Sequence, residues 1–203
     1  YQYHGANRLG ANSLVSCIYG GSIAGPNAVK YARGLQALPD GNGVFEAEKK
    51  KQEESNALLM NNSGTENPFR LWRELGEFMT KDCTVIRYNK NLQQTDAKLV
   101  EMLERFRKVN LSDRTQWANT TVVFTRQLYN MLQLSRVIAQ GARLRDESRG
   151  AHYKPDFPDR DDKNFLKTTK AYFAPDADEP KFEFEPVDVS LIPPRPRKYD
   201  AVK

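Results

Sequence analysis

The hydrophobic and polar positions divide the chain into three stretches of different texture. The middle one, residues 44–149, carries the clearest periodicity. Residues 44–60 read as one helix with Glu46, Lys49, Lys50 and Glu53 on a wet side, ended by Asn61-Asn62-Ser63-Gly64. Asn67 before Pro68 predicts a second helix start, because proline at the first helical position gives up no helical hydrogen bond. Leu71, Leu75, Phe78 and Met79 then form an apolar stripe. Thr95-Asp96 reads as the cap of a third helix, with Leu99, Met102, Leu103 and Phe106 at spacings of three and four. Ser112-Asp113 precedes a long fourth run to Asp146. Its expected inner face is Phe124, Leu128, Met131, Leu132, Ser135 and Ile138, widened by Leu134 and Val137, which makes this helix central. Short connections between such helices predict antiparallel neighbours.

The flanks read differently. Residues 1–43 hold most of the glycines and little charge. Gly5, Gly10, Asn7 and Asn12 mark irregular backbone, and Asn12-Ser13 reads as a helix start before Leu14, Val15, Ile18 and Tyr19. Gly20, Gly21, Ala24 and Gly25 predict close packing. Pro26 is expected to restart a helical run through Val29, Tyr31 and Ala32, and residues 38–43 form a linker. Residues 150–203 hold eight of the eleven prolines. They predict an extended tail lying on a larger body, with one or two edge strands where Phe182, Phe184, Val187, Val189, Leu191 and Ile192 alternate. The fold class that follows is mainly α: an antiparallel helical bundle with an extended proline-rich C-terminal tail.

Composition narrows the function classes. The 203 residues include 39% hydrophobic and 28% charged residues, and 10% are aromatic, so the chain has the anchors to fold. No apolar run approaches the roughly 18 residues that a membrane span needs, and no signal peptide is visible. Two cysteines, Cys17 and Cys83, make neither a disulfide framework nor a cysteine-rich zinc site. Two histidines, His4 and His152, argue against a histidine-rich metal site. A net charge of +5 suits anionic ligands without being a nucleic-acid signature.

The candidate chemistry sits at the start of the chain. Arg8 is the one Lys or Arg in residues 1–29, set among glycines with few charge partners. Its planar fork is suited to binding a carboxylate with two hydrogen bonds, against the plainer reading of an arginine that ties down a loop. Ser13 and Leu14 open a helix whose unpaired N–H groups and dipole favour a phosphate, a carboxylate or a reduced flavin ring; an ordinary helix cap is the plainer reading. Residues 20–25 resemble half of a phosphate loop, but Pro26-Asn27 stands where that loop needs Lys and Ser or Thr. No Gly-x-Gly-x-x-Gly occurs, so the chain has no dinucleotide fingerprint of its own. The Asp156–Asp162 stretch, alternating with Lys154, Arg160 and Lys163, reads as solvated and mutually paired.

His4-Gly5-Ala6-Asn7-Arg8-Leu9-Gly10-Ala11-Asn12-Ser13-Leu14 resembles the signature of the succinate dehydrogenase/fumarate reductase flavoproteins. A second block, Glu147-Ser148-Arg149-Gly150-Ala151-His152-Tyr153 followed by Asp156-Phe157-Pro158-Asp159-Arg160-Asp161-Asp162, resembles the same family. The likeness spans essentially the whole chain, with Bacillus-like members closest. It implies that residues 1–43 are the last piece of an α/β FAD-binding domain, 44–149 a helical domain and 150–203 a C-terminal tail. A chain opening Tyr1-Gln2-Tyr3 directly on this signature is expected to be a piece of a longer one.

The resemblance further implies an oxidoreductase that is active as part of the full subunit. It would interconvert succinate and fumarate by hydride transfer to FAD, and pass electrons to an iron–sulfur subunit and quinone. Arg8, with the backbone near Ala11, would bind the dicarboxylate substrate; Arg8, Ser13 and Leu14 would lie at the flavin. Covalent FAD attachment and the proton shuttle are expected upstream, so no residue here takes the acid–base role. The implied partners are an iron–sulfur subunit and a membrane anchor cytochrome b subunit, with no nucleic acid. The implied location is peripheral, at the cytoplasmic face of the cell membrane. Two alternatives stay open: an L-aspartate oxidase-like flavoenzyme, which shares an Arg-bearing signature and a Glu-Ser-Arg-Gly-x-His block, and a non-catalytic helical interaction fragment.

Overall fold

A computed structural model describes residues 10, 12–37, 40–174 and 179–195. Six helices are followed by a two-stranded sheet: α1 (Asn12–Gly34), α2 (Asn42–Asn61), α3 (Pro68–Cys83), α4 (Asn89–Phe106), α5 (Thr120–Arg143), the single turn α6 (Asp162–Phe165), β1 (Lys167–Tyr172) and β2 (Lys181–Pro186). The strands pair antiparallel, from Lys167 opposite Pro186 to Tyr172 opposite Lys181.

The core belongs to α3, α4 and α5. Leu71 and Leu75 of α3, Leu92, Leu99 and Met102 of α4, and Leu128, Leu132 and Ala139 of α5 are buried in one cluster. Helix direction follows from the polar contacts at the ends. Asp82 near the end of α3 accepts from Asn91 near the start of α4 at 3.0 Å. At the other end Glu66, just before α3, is joined by its backbone to Lys108 and Asn110, just after α4. These two helices are therefore antiparallel. Asn89 at the start of α4 donates to Asp146 beyond α5 at 2.8 Å, so α4 and α5 are antiparallel too. Helix α5 packs on α4, α3, α2 and β1, the central position expected of it.

The Asn67-Pro68 start stands as read: the Asn67 side chain accepts from the N–H groups of Phe69 and Arg70. Other boundaries differ. Helix α4 begins six residues before Thr95, so Thr95-Asp96 is not a cap. Thr95 is buried, and Asp96 instead receives Arg136 Nε at 3.0 Å and Gln140 Nε2 at 2.8 Å from α5. Helix α5 begins at Thr120, capped by Asn119, whose side chain accepts from Val122 N–H. Asp113 turns back on Thr115 at 2.9 Å instead.

The inner face of α5 is rotated from the expected one. Thr125, Leu128, Leu132, Ser135, Arg136, Ala139, Gln140 and Ala142 are buried, while Leu134 and Ile138 are exposed. Asp96 draws Arg136 and Gln140 inward, and Ile138 turns out. Gly64 does not cap α2, which ends at extended Asn62. A Cβ on Gly64 would lie 1.9 Å from the Lys108 carbonyl oxygen, so it is the close approach of two backbones that requires glycine.

Helix α1 departs most from the reading. It is one continuous helix through Gly20, Gly21, Gly25 and Pro26, with no restart. Pro26 forfeits one backbone N–H; next to it the Asn27 side chain donates to the Ile23 carbonyl at 2.8 Å. No residue of α1 is buried. In the tail, Val187, Val189, Leu191 and Ile192 lie beyond β2, and Phe182 and Phe184 are in it.

Candidate functional site

Of the four residues singled out by the first signature, Arg8 and Ala11 lie outside the described residues, as does His4. Ser13 and Leu14 stand in the first turn of α1. That turn contains no acidic side chain of its own to offset the positive end of the helix. Ser13 is partly exposed and Leu14 is 72% exposed. Val15, Ile18 and Tyr19, in the turns that follow, are exposed as well. An apolar, positively polarised helix start of this kind fits an aromatic ring system that gains negative charge, as the flavin of FAD does on reduction.

The second signature block folds into a buried knot beneath the ends of α4 and α5. Glu147 is fully buried. Its carboxylate receives Arg149 Nε at 2.8 Å and Nη2 at 3.0 Å, and the Asp161 backbone N–H at 2.9 Å. Arg145 Nη1 stands 3.5 Å away. Arg149 also reaches Asp162 at 2.7 Å, which Arg160 holds from the other side at 2.7 Å. Hydrogen bonds from Arg149 first, then from Arg160, keep the Asp162 carboxyl below the usual carboxylate range. The acidic stretch is thus paired as expected at Asp162, while Asp161 caps α6 through Asn164.

Lys154 is fully buried as well. Its ammonium donates to Asn89 Oδ1 at 2.7 Å, Asp146 Oδ1 at 2.9 Å and the Arg143 carbonyl at 3.1 Å. Burial pushes its pKa down, and the bond to Asp146 opposes that. One side chain thereby fastens the start of α4 to the end of α5. His152 is spoken for at both ring nitrogens. Arginine can only donate and a carbonyl can only accept, so Nδ1 accepts from Arg87 Nη1 at 2.6 Å and Nε2 donates to the Arg145 carbonyl at 2.8 Å. Burial lowers its pKa, and the charges of Arg87, Lys154 and Arg145 add to that. A neutral imidazole with both nitrogens occupied has no lone pair to offer a substrate proton, so the knot is architecture. Sequence reading passed over Arg87, which stands between apolar Val85-Ile86 and Tyr88 with no motif around it.

Among the described residues no group of three or more His, Cys, Asp or Glu side chains is placed to hold a metal ion. No helix among them is long and apolar enough to cross a membrane.

Comparison with known proteins gives one answer. The family described as "Fumarate reductase flavoprotein C-term" matches residues 72–199. The succinate dehydrogenase flavoprotein subunit of Bacillus subtilis (strain 168) is 54% identical over 205 residues, covering 100% of this chain and 35% of that protein. The fumarate reductase flavoprotein subunit of Escherichia coli (strain K12) is 37% identical over 201 residues, covering 97% of this chain and 32% of that protein. Among solved structures, an E. coli quinol fumarate reductase superposes with a TM-score of 0.84 at 34% identity, covering 95% of this chain and 33% of that one. The Mycobacterium smegmatis Sdh1 complex in its apo form gives 0.75 at 26%, covering 89% and 30%. The chain spans about a third of the length of these relatives. The two signature blocks, the helical fold and these matches agree: the chain belongs to the succinate dehydrogenase/fumarate reductase flavoprotein family and corresponds to its C-terminal portion.

Proposed function

We propose that this chain is the C-terminal part of a flavoprotein subunit that interconverts succinate and fumarate. The observation that carries the reading is 54% identity along its whole length to a succinate dehydrogenase flavoprotein subunit. Residues 1–43 then complete an FAD-binding domain, residues 44–149 form the helical domain and residues 150–203 the tail. The uncovered apolar side chains of α1 support that division, because a helix with no buried residue wants a surface to lie on.

FAD, when bound, supplies the two-electron acceptor for the hydride that leaves succinate. This chain's own residues bind and orient. Arg8 clamps one carboxylate of the dicarboxylate through two parallel hydrogen bonds, with the backbone at Ala11 beside it. Ser13 and Leu14 would contact the flavin, and the positive end of α1 would favour negative charge there. No residue of this chain is assigned the proton transfer. Electrons go on to an iron–sulfur subunit and, through a membrane anchor cytochrome b subunit, to quinone. The subunit sits peripherally at the cytoplasmic face of the membrane.

Arg8 provides the test. In the intact subunit, Arg8→Ala should lower succinate oxidation by about a thousandfold or more while flavin absorbance stays unchanged. Arg8→Lys should fail nearly as badly, since a point charge does not replace a planar fork. Near-normal succinate turnover in either variant would overturn the assignment, and turnover of aspartate in place of succinate would redirect it to an aspartate oxidase.

A further inference from the structure

Arg87 has hydrogen-bonding capacity that the described chain leaves unused. Its Nε donates to the Cys83 carbonyl at 2.8 Å, its Nη1 to His152 at 2.6 Å, and its backbone N–H to the Tyr153 carbonyl at 3.0 Å. Nη2, with two hydrogens, makes no hydrogen bond among the described residues. No carboxylate there comes within ion-pair distance of Arg87. In contrast, Arg105, Arg136, Arg145, Arg149 and Lys154 each have one. Burial already weighs against the charge of this guanidinium, and an uncompensated half-buried cation is an expensive group to keep.

The same guanidinium lines an open surface depression of about 310 Å³ between the end of α5, the buried knot and the sheet. Arg145 and Thr169 add polar groups to its wall, while Val137, Ile138 and Phe182 supply apolar surface. Among the described residues no acidic side chain lines it. The Arg145 charge is largely committed to Glu147 and to the carbonyls of Phe165 and Lys167. Arg87, with Nη2 unbonded among the described residues, thus stands in the wall of a small, open and mostly apolar depression.

We infer that this depression binds a small organic carboxylate with a short apolar tail, its carboxylate on Arg87 and its tail against Val137, Ile138 and Phe182. The depression is small and open, so it suits a ligand of only a few carbons and leaves larger molecules mostly in water. A single guanidinium with open N–H groups matches one carboxylate. A phosphate would bring more charge than one arginine offsets and would leave the apolar wall unused.

Calorimetric titration of the intact protein at constant ionic strength tests this, with butyrate as the probe, butyramide as its uncharged counterpart and inorganic phosphate as an anion without a tail. Butyrate should bind saturably, and the other two at least about tenfold more weakly. Arg87→Gln should weaken butyrate by at least about tenfold. Because that variant also disturbs His152, Ala171→Phe serves beside it. Ala171 is an exposed residue of β1 at the wall of the depression, remote in sequence from every hydrogen bond of Arg87, and a phenyl ring there fills the space. It should abolish butyrate binding with the fold intact. The inference is overturned if the wild-type protein shows no saturable butyrate binding, as it would were an acidic side chain from elsewhere in the subunit already in the depression. It is also overturned if neither variant changes the affinity, or if phosphate binds as tightly as butyrate.

Discussion

Helix α1 and the α3–α5 bundle are built from the same alphabet to opposite ends. The bundle is inward-looking. Its leucines meet one another, and its charges are answered nearby, as Arg136 is by Asp96 and Arg105 by Glu66 and Glu74. Helix α1 is outward-looking over 23 residues: none is buried, and Leu14, Val15, Ile18 and Tyr19 face outward. The bundle and its knot thus hold one another in place with their own side chains, whereas α1 carries a polarised, apolar helix start that we propose belongs to a site completed by other parts of the subunit.

The most severe way to break the self-contained half is to remove Glu147. Its carboxylate is fully buried and satisfies Arg149 twice, the Asp161 N–H and, at longer range, Arg145. Deleting one partner of a buried ion pair costs about 3–5 kcal/mol, because the remaining charges keep their desolvation penalty. Glu147→Ala should therefore lower unfolding stability by about that amount, measured by urea denaturation with helical ellipticity as the signal. A loss under about 1 kcal/mol would mean that the knot is decoration and that the bundle stands without it.

A smaller effect isolates His152. Burial, assisted by the positive charges of Arg87, Lys154 and Arg145, holds its folded pKa below the ordinary 6.5. The folded state therefore resists a proton that the unfolded state accepts. Stability from this residue is fully present above about pH 6.5 and is lost progressively as pH falls below that value and through the lowered folded pKa. Asp146, Asp162 and Glu66 are shifted in the direction that costs stability only at lower pH, as carboxylates protonate. Comparing wild type with His152→Gln below about pH 6.5 should show a steeper loss in the wild type, since the substitution removes only this imidazole. Parallel curves would mean that His152 is already as solvated when folded as when unfolded.

These particulars show what was legible in advance. The stripes of α3 and α4 could be read because one apolar face against one core produces the three-and-four spacing directly. The Asn67-Pro68 start could be read because it is settled within four residues. The Glu147–His152 block was recognisable as a family element, although nothing in its composition tells that Glu147 and Lys154 are buried. What escaped was settled by partners distant in sequence. Asp96 looks like a cap until Arg136 and Gln140, 40 and 44 residues on, claim it, and the same claim rotates α5 and turns Ile138 outward. Arg87 is silent in the sequence because its neighbours are a carbonyl four residues back and an imidazole 65 residues on. The continuity of α1 through Gly20, Gly21, Gly25 and Pro26 escaped for another reason: glycine and proline report a local preference of about 1 to 3 kcal/mol against helix, which a long helix absorbs.

The mildest prediction concerns α1 and sharpens the comparison most. Ile18 is 75% exposed, in the second turn of a helix that has no buried residue. If the bundle is self-contained, Ile18→Ser in the intact protein should leave the hydrogen-exchange protection of amides in α3, α4 and α5 within about 0.5 kcal/mol of wild type. Flavin retention and succinate turnover should respond instead, because the apolar surface lost is surface proposed to lie on the FAD-binding domain. A drop in bundle protection comparable to that from Glu147→Ala would show that α1 braces the bundle. The two regions would then be one cooperative unit, and the outward character of α1 would cease to be a sign of what it serves.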